Sequence, residues 1–162
     1  MEPKRMERIA EEMIRRGMTI ATAEADTAGY IGHLLCSPPG ASRYFHGGVI
    51  AYVGETKSRV LGVAPDVYPR YGAVSQEMAL AMAKQARAFF GTDVGISASG
   101  VAGPTGGSPQ KPPGTFWIAV SSSDGSDLAV EHRWNSTDRM ANKERAADAA
   151  IHLLEQFLGL AI

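Results

Sequence analysis

Residues 94–122 read VGISASGVAGPTGGSPQKPPGTFWIAVSS, and their order decides the fold. The apolar run at 94–99 has the length of a buried strand and follows a helix stop at Gly91. The stretch at 100–114 is too dense in glycine and proline to continue as helix or strand. Residues 115–122 are strand-like again, and Asp124-Gly125 is a hairpin signal that turns the chain into a further strand at 128–134.

Upstream, helices and strands alternate. Met6, Ile9, Ala10, Met13 and Ile14 follow the spacing of an amphipathic helix, with Pro3 tolerated in its first turn and Gly17 at its end. Residues 18–23 read as a buried strand, followed by a turn of small and polar residues at 24–29. A helix carrying Ile31, Leu34 and Leu35 comes next, with Asp26 or Thr27 as its expected cap. After the break at 37–40, residues 47–53 read as a second strand and 55–61 as a short helix. Ser75 is the expected cap of a longer helix with Met78, Met82, Ala86 and Phe89 on its apolar face. The last helix begins near Thr137 and carries Met140, Ala147, Ile151, Leu154 and Leu158. Alternating helices and strands that finish in a hairpin imply an α/β fold, a three-layer α/β/α domain with a mixed β-sheet, over residues 1–162.

Composition narrows the function classes. The 162 residues suit one domain with a core of its own, and 44% are hydrophobic. Sixteen basic and 17 acidic residues leave a formal charge of -1, which gives no electrostatic reason to expect a nucleic-acid or membrane surface. Cys36 is the single cysteine, so neither an intrachain disulfide nor a thiolate zinc cluster is possible. His33, His46, His132 and His152 are scattered without metal-ligand spacing, so no metal or cofactor is expected. The charged N-terminus has no signal-peptide character, and no run approaches the ~20 apolar residues that span a bilayer. A cytoplasmic location is the expectation.

Three segments could carry chemistry, each following an apolar strand, where α/β sheets gather ligands. In 22–29 (TAEADTAG) small residues let a ligand approach the backbone, although an ordinary strand-to-helix turn reads the same way. Tyr52 and Lys57 pair a hydroxyl with an amine that could act as a base if desolvated; a solvated lysine and a half-buried tyrosine are the plainer alternative. In 99–115, glycines let backbone amides face a phosphate or a developing oxyanion. That stretch lacks both the Walker pattern and GxGxxG, and a flexible surface loop has the same composition.

Taken together, these segments resemble the CinA C-terminal domain family. The family's TAESCTGG motif has its counterpart in residues 22–29, the tyrosine-to-lysine spacing is kept at Tyr52 and Lys57, and 72–75 (GAVS) matches a third motif. Residues 99–107 (SGVAGPTGG) and 111–115 (KPPGT) match the long glycine-rich signature. The resemblance implies hydrolysis of the carboxamide of nicotinamide mononucleotide by a serine, with the lysine as base and the tyrosine assisting, and with no metal. It implies a substrate site at Glu24, Gly29, Gly103, Thr105, Gly106 and Gly107, joined by the basic Lys111, Arg139 and Lys143. It also implies a stand-alone form of a domain that occurs elsewhere behind a larger N-terminal one. Symmetric pairing of identical chains, a dimer, is the expected assembly.

The chain departs from the family where the chemistry is expected. Ala25 stands at the serine position, Asp26 replaces the cysteine after it, and Ala28 replaces the first glycine of the pair. Near the last helix Asp138 and Arg139 fit a GDRxxVR-like stretch, while Lys143 stands at the second arginine. In subtilisin, loss of the nucleophilic serine costs about 10⁶ in turnover. The first expectation is therefore a protein that binds nicotinamide mononucleotide or a similar nucleotide without deamidating it. The second is an active hydrolase using Asp26 or Thr27 in place of the serine. The third is a partner-binding module linked to competence or DNA damage.

Overall fold

A computed structural model describes residues 3–161. Helix α1 (Pro3–Arg16) buries Met6, Ile9, Ala10 and Met13, the stripe its spacing predicts, and stops at Gly17 in a left-handed conformation. Strand β1 (Ile20–Glu24) is buried at all five positions because both sheet faces are covered there. Helix α2 (Tyr30–Leu35), strand β2 (Phe45–Ile50) and the short helices α3 (Gly54–Arg59) and α4 (Val67–Tyr71) follow. Helix α5 (Gln76–Phe90) leads into strand β3 (Val94–Gly100), strands β4 (Thr115–Ser122) and β5 (Leu128–Arg133) form the hairpin, and helix α6 (Arg139–Leu158) closes the chain.

The five strands lie in the order β2-β1-β3-β4-β5. The first three are parallel and the last two antiparallel, which is the mixed sheet expected from the alternation and the hairpin. Side chains alternate across the sheet and divide the core. On one face Ile20, Ile96, Phe116, Ile118 and Val120 pack with α1, α2 and α6. On the other, Ala21, Ala23 and Ala25 meet Leu61, Val63, Met78 and Met82, and α5 lies across β1, β3 and β4. Glu24 pairs with both Ile50 and Ala98, so β1 and β2 end level and β3 runs two residues farther, to Gly100. Three turns therefore leave the sheet at one edge.

The expected cap at Ser75 is present, its Oγ accepting from Met78 N at 3.1 Å, and Asp138 caps α6, its Oδ1 accepting from Ala141 N at 3.0 Å. Several expectations need correction. Strand β2 spans 45–50 rather than 47–53, because the chain turns at Ala51 and Val53 already caps α3. Phe89 is 61% exposed and Met140 is also exposed, so neither belongs to the apolar face of its helix. Gly29 is the N-cap of helix α2, and neither Asp26 nor Thr27 caps it. Helix α4, with Pro69 inside a single turn, carries no apolar period and was not expected.

Candidate functional site

At that edge of the sheet lies an open pocket of about 640 Å³. It brings together most of the predicted residues: Asp26, Tyr52, Gly103, Thr105, Gly106, Gly107, Lys111 and Arg139. Its main wall is the glycine-rich loop. Val101 N donates to Thr115 O and Gly114 N to Val101 O, both at 2.8 Å, so the loop is pinned where it leaves and rejoins the sheet. Its tip is closed by reciprocal bonds between Ser108 and Lys111 of 3.1 and 3.0 Å.

Helix α6 holds the loop from outside. Arg139 donates to Gly103 O at 2.9 Å and to the Tyr52 hydroxyl at 2.7 Å, which joins the loop to the turn after β2. A guanidinium has five donors, so it keeps some for a ligand. Asn142, fully buried, donates from Nδ2 to Ala102 O at 2.9 Å and to Ser136 O at 2.7 Å. Sequence reading missed this residue, since a lone asparagine in a helix carries no pattern. Ser99 Oγ donates to Ala73 O at 2.7 Å and draws residues 72–74 into the opposite wall. Lys111 Nζ reaches Tyr71 O at 3.5 Å and has no carboxylate partner among the described residues. Two cations and a glycine-rich loop thus border a space large enough for a mononucleotide.

The turn after β1 is arranged differently. Both carboxylate oxygens of buried Glu24 accept backbone amides, from Gly29 (3.0 Å), Ile31 (3.1 Å) and Gly32 (2.8 Å). Glu24 therefore supplies the acceptor for the start of α2, at the end where negative charge is favoured, and does not line the pocket. Ala25 is 1% exposed and packs in the apolar cluster with Ala23, Ala51, Leu61 and Val63. Thr27 is buried, and its hydroxyl has no hydrogen-bond partner among the described residues. Gly29 and Lys143 border a separate recess of about 330 Å³ with Thr27, Tyr30 and His33. From this turn only Asp26 reaches the main pocket.

Lys57 is 2% exposed and does not line the pocket. Its Nζ donates to Ala51 O at 3.0 Å and, more weakly, to Tyr52 O at 3.4 Å. Burial pushes its pKa below the ordinary lysine value, and the Asp26 carboxylate opposes that shift. Burial pushes Asp26 above the ordinary aspartate value. The Gly100 amide at 3.4 Å and the positive charges of Lys57 and Arg139 oppose it. Asp26 and Lys57 are therefore a half-sequestered acid and base whose charged forms support each other.

Tyr68, from the unexpected helix α4, also lines the pocket. Among the described residues no group of three or more His, Cys, Asp or Glu side chains converges. Among the described residues no helix is long and apolar enough to cross a membrane.

A family model described as the CinA C-terminal domain matches residues 2–158. A CinA-like protein of Salinibacter ruber is 42% identical over 143 residues, covering 88% of this chain and 34% of that protein. A putative competence-damage inducible protein of Desulforudis audaxviator is 43% identical over 114 residues, covering 70% and 28%. The chain spans about a third of the length of the curated relatives it matches. Among solved structures, a competence-damaged protein (CinA) superfamily member from Klebsiella pneumoniae superposes with a TM-score of 0.90 at 29% identity, covering 96% of both chains. The competence/damage inducible protein CihA from Agrobacterium tumefaciens gives 0.86 at 30%, covering 99% and 98%. The mixed sheet, the glycine-rich wall and these matches agree: the chain belongs to the CinA C-terminal domain family.

Proposed function

We propose that the pocket binds nicotinamide mononucleotide or a similar small nucleotide, and that the chain does not deamidate it by a serine mechanism. One observation carries this reading: the glycine-rich wall with Lys111 and Arg139 is open, while the position where a nucleophile is expected holds an alanine methyl packed into the core. Backbone amides and two cations suit a phosphate, and Ala25 has nothing with which to attack an amide. The test is calorimetry with nicotinamide mononucleotide, beside an assay of ammonia release. Binding without turnover is the expected result, and absence of binding overturns it. Ammonia release that appears only in Ala25→Ser would show that the rest of an amidohydrolase site is retained around the buried amine of Lys57.

A second reading has its own support in Asp26. It lines the pocket with its pKa raised by burial, toward the range where a carboxylate is an effective base for water. In that case water attacks the carboxamide carbon as Asp26 takes its proton, and Asp26 then passes that proton to the nitrogen as the C–N bond breaks, releasing ammonia and leaving the acid. Wild-type turnover that collapses in Asp26→Asn and survives in Thr27→Val would establish this reading over the first.

A further inference from the structure

Tyr68 stands in the pocket wall in an unusual way. It is 51% exposed, a large fraction for an aromatic side chain held on a folded helix. It is not loose, however. A Cβ placed on Gly54 would lie 3.2 Å from Tyr68 Cε2, 3.4 Å from Cδ2 and 3.5 Å from Cζ. Three neighbouring ring carbons at nearly equal distance mean that Gly54 lies against the face of the ring. An edge-on approach would put the flanking carbons much farther away than the nearest one. Gly54 has no left-handed φ that would call for glycine, so what its missing side chain provides is room for this ring. The ring is thus held from one side by backbone, and it stands between the main pocket, which it borders together with Tyr52, and a smaller recess that it shares with Gly54.

The anion-binding features lie at the far end of the same short helix. Lys111 Nζ contacts Tyr71 O and is 3.7 Å from where a Cβ on Gly72 would stand. Four residues of helix separate Tyr68 from Gly72, about 6 Å of rise. A flat aromatic surface and an unpaired cation are therefore spaced along one wall, as a ligand with a ring at one end and a phosphate at the other requires.

We propose that Tyr68 is a specificity-determining residue that stacks on the planar ring of the ligand, making the pocket selective for aromatic nucleotides over sugar phosphates. This rests on the reading of the pocket as a nucleotide site. It deepens that reading by assigning ring recognition to a residue outside the family motifs quoted above.

The test is calorimetry of wild type, Tyr68→Ala and Tyr68→Phe with nicotinamide mononucleotide and with ribose 5-phosphate, which has the same phosphate and sugar but no ring. The NMR shifts of the pyridine protons in each complex are measured beside it. Tyr68→Ala is expected to weaken the nucleotide by about 10-fold or more, the usual scale of base–aromatic stacking, and to leave ribose 5-phosphate within about 2-fold. Tyr68→Phe keeps the stacking face and stays near wild type. The pyridine protons shift upfield in the wild-type and Phe complexes and not in the Ala complex; this decides the question where ribose 5-phosphate is too weak to measure. Equal nucleotide affinity in Tyr68→Ala, or wild-type pyridine protons without an upfield shift, overturns the stacking role while leaving the pocket a nucleotide site. Failure of wild type to bind the nucleotide at all overturns both.

Discussion

Two neighbouring turns leave the parallel strands of this protein, and they have opposite characters. The turn after β1 is turned inward: Glu24 spends its charge on amides of its own chain, Ala25 fills core, and Thr27 is buried. The loop after β3 is turned outward, with Gly103, Thr105, Gly106 and Gly107 facing a pocket and held from behind by Arg139 and Asn142. The strands beneath them are hydrogen-bonded in register, so the difference does not come from the scaffold. It comes from residue type, and it separates binding from chemistry. Backbone amides bind anions whatever side chains surround them, whereas covalent attack needs one particular atom at one position.

The largest effect should come from breaking the inward turn. Glu24→Ala leaves three amides at the start of α2 without their charged acceptor in a buried site. It should cost about 4 kcal/mol, read as a lower urea midpoint. Breaking the outward loop should be milder for stability and worse for binding. A Cβ on Gly107 would lie 2.2 Å from Lys111 O at a left-handed φ of 74°, so Gly107→Ala must displace the loop tip. We expect a loss of about 1–3 kcal/mol in stability, with nucleotide affinity falling by more than about 10-fold in calorimetry. If both variants lose stability and binding equally, the two turns are one cooperative unit and the contrast fails.

Asp26 stands at the border between the two, and its titration sharpens the comparison. Its folded pKa lies above its ordinary value of 3.8, so the folded state favours the protonated form more than the unfolded chain does. Its cost to stability is absent below the ordinary value, grows as pH rises through the window up to the raised value, and is constant above that. Asp26→Asn should therefore gain stability relative to wild type above the window and lose that advantage in acid, measured as the difference in Tm across a pH series. A difference that grows toward low pH would mean that Lys57 and the Gly100 amide outweigh burial.

Most of the scaffold was legible because it is written in period and punctuation. Gly17, Gly91 and Gly159 end their helices in left-handed conformations, Ser75 caps α5, and the hairpin turns at Gly125. What was illegible lacks periodicity. Helix α4 is one turn around Pro69, which is why Tyr68 was missed, and β2 starts earlier than expected because Phe45 and His46 follow a break rather than an apolar run. The glycine loop announced itself by composition. The direction of Glu24 and Ala25 did not, because β1 is buried on both faces and alternation there cannot tell a core side chain from one beside a site.

The smallest expected effect tests that last point on a residue the sequence grouped with the site. Lys111 and Lys143 both follow the family spacing, yet Lys111 lines the main pocket and Lys143 the separate recess beside Gly29 and His33. Lys111→Ala should weaken a nucleotide by about 5- to 10-fold and reduce the salt dependence of binding, as expected for one lost phosphate contact. Lys143→Ala should leave affinity within about 2-fold of wild type. A matching loss in Lys143→Ala would mean that the ligand crosses from Asp26 over the turn into the second recess. The inward turn would then be a ridge beneath a longer ligand rather than a closed door.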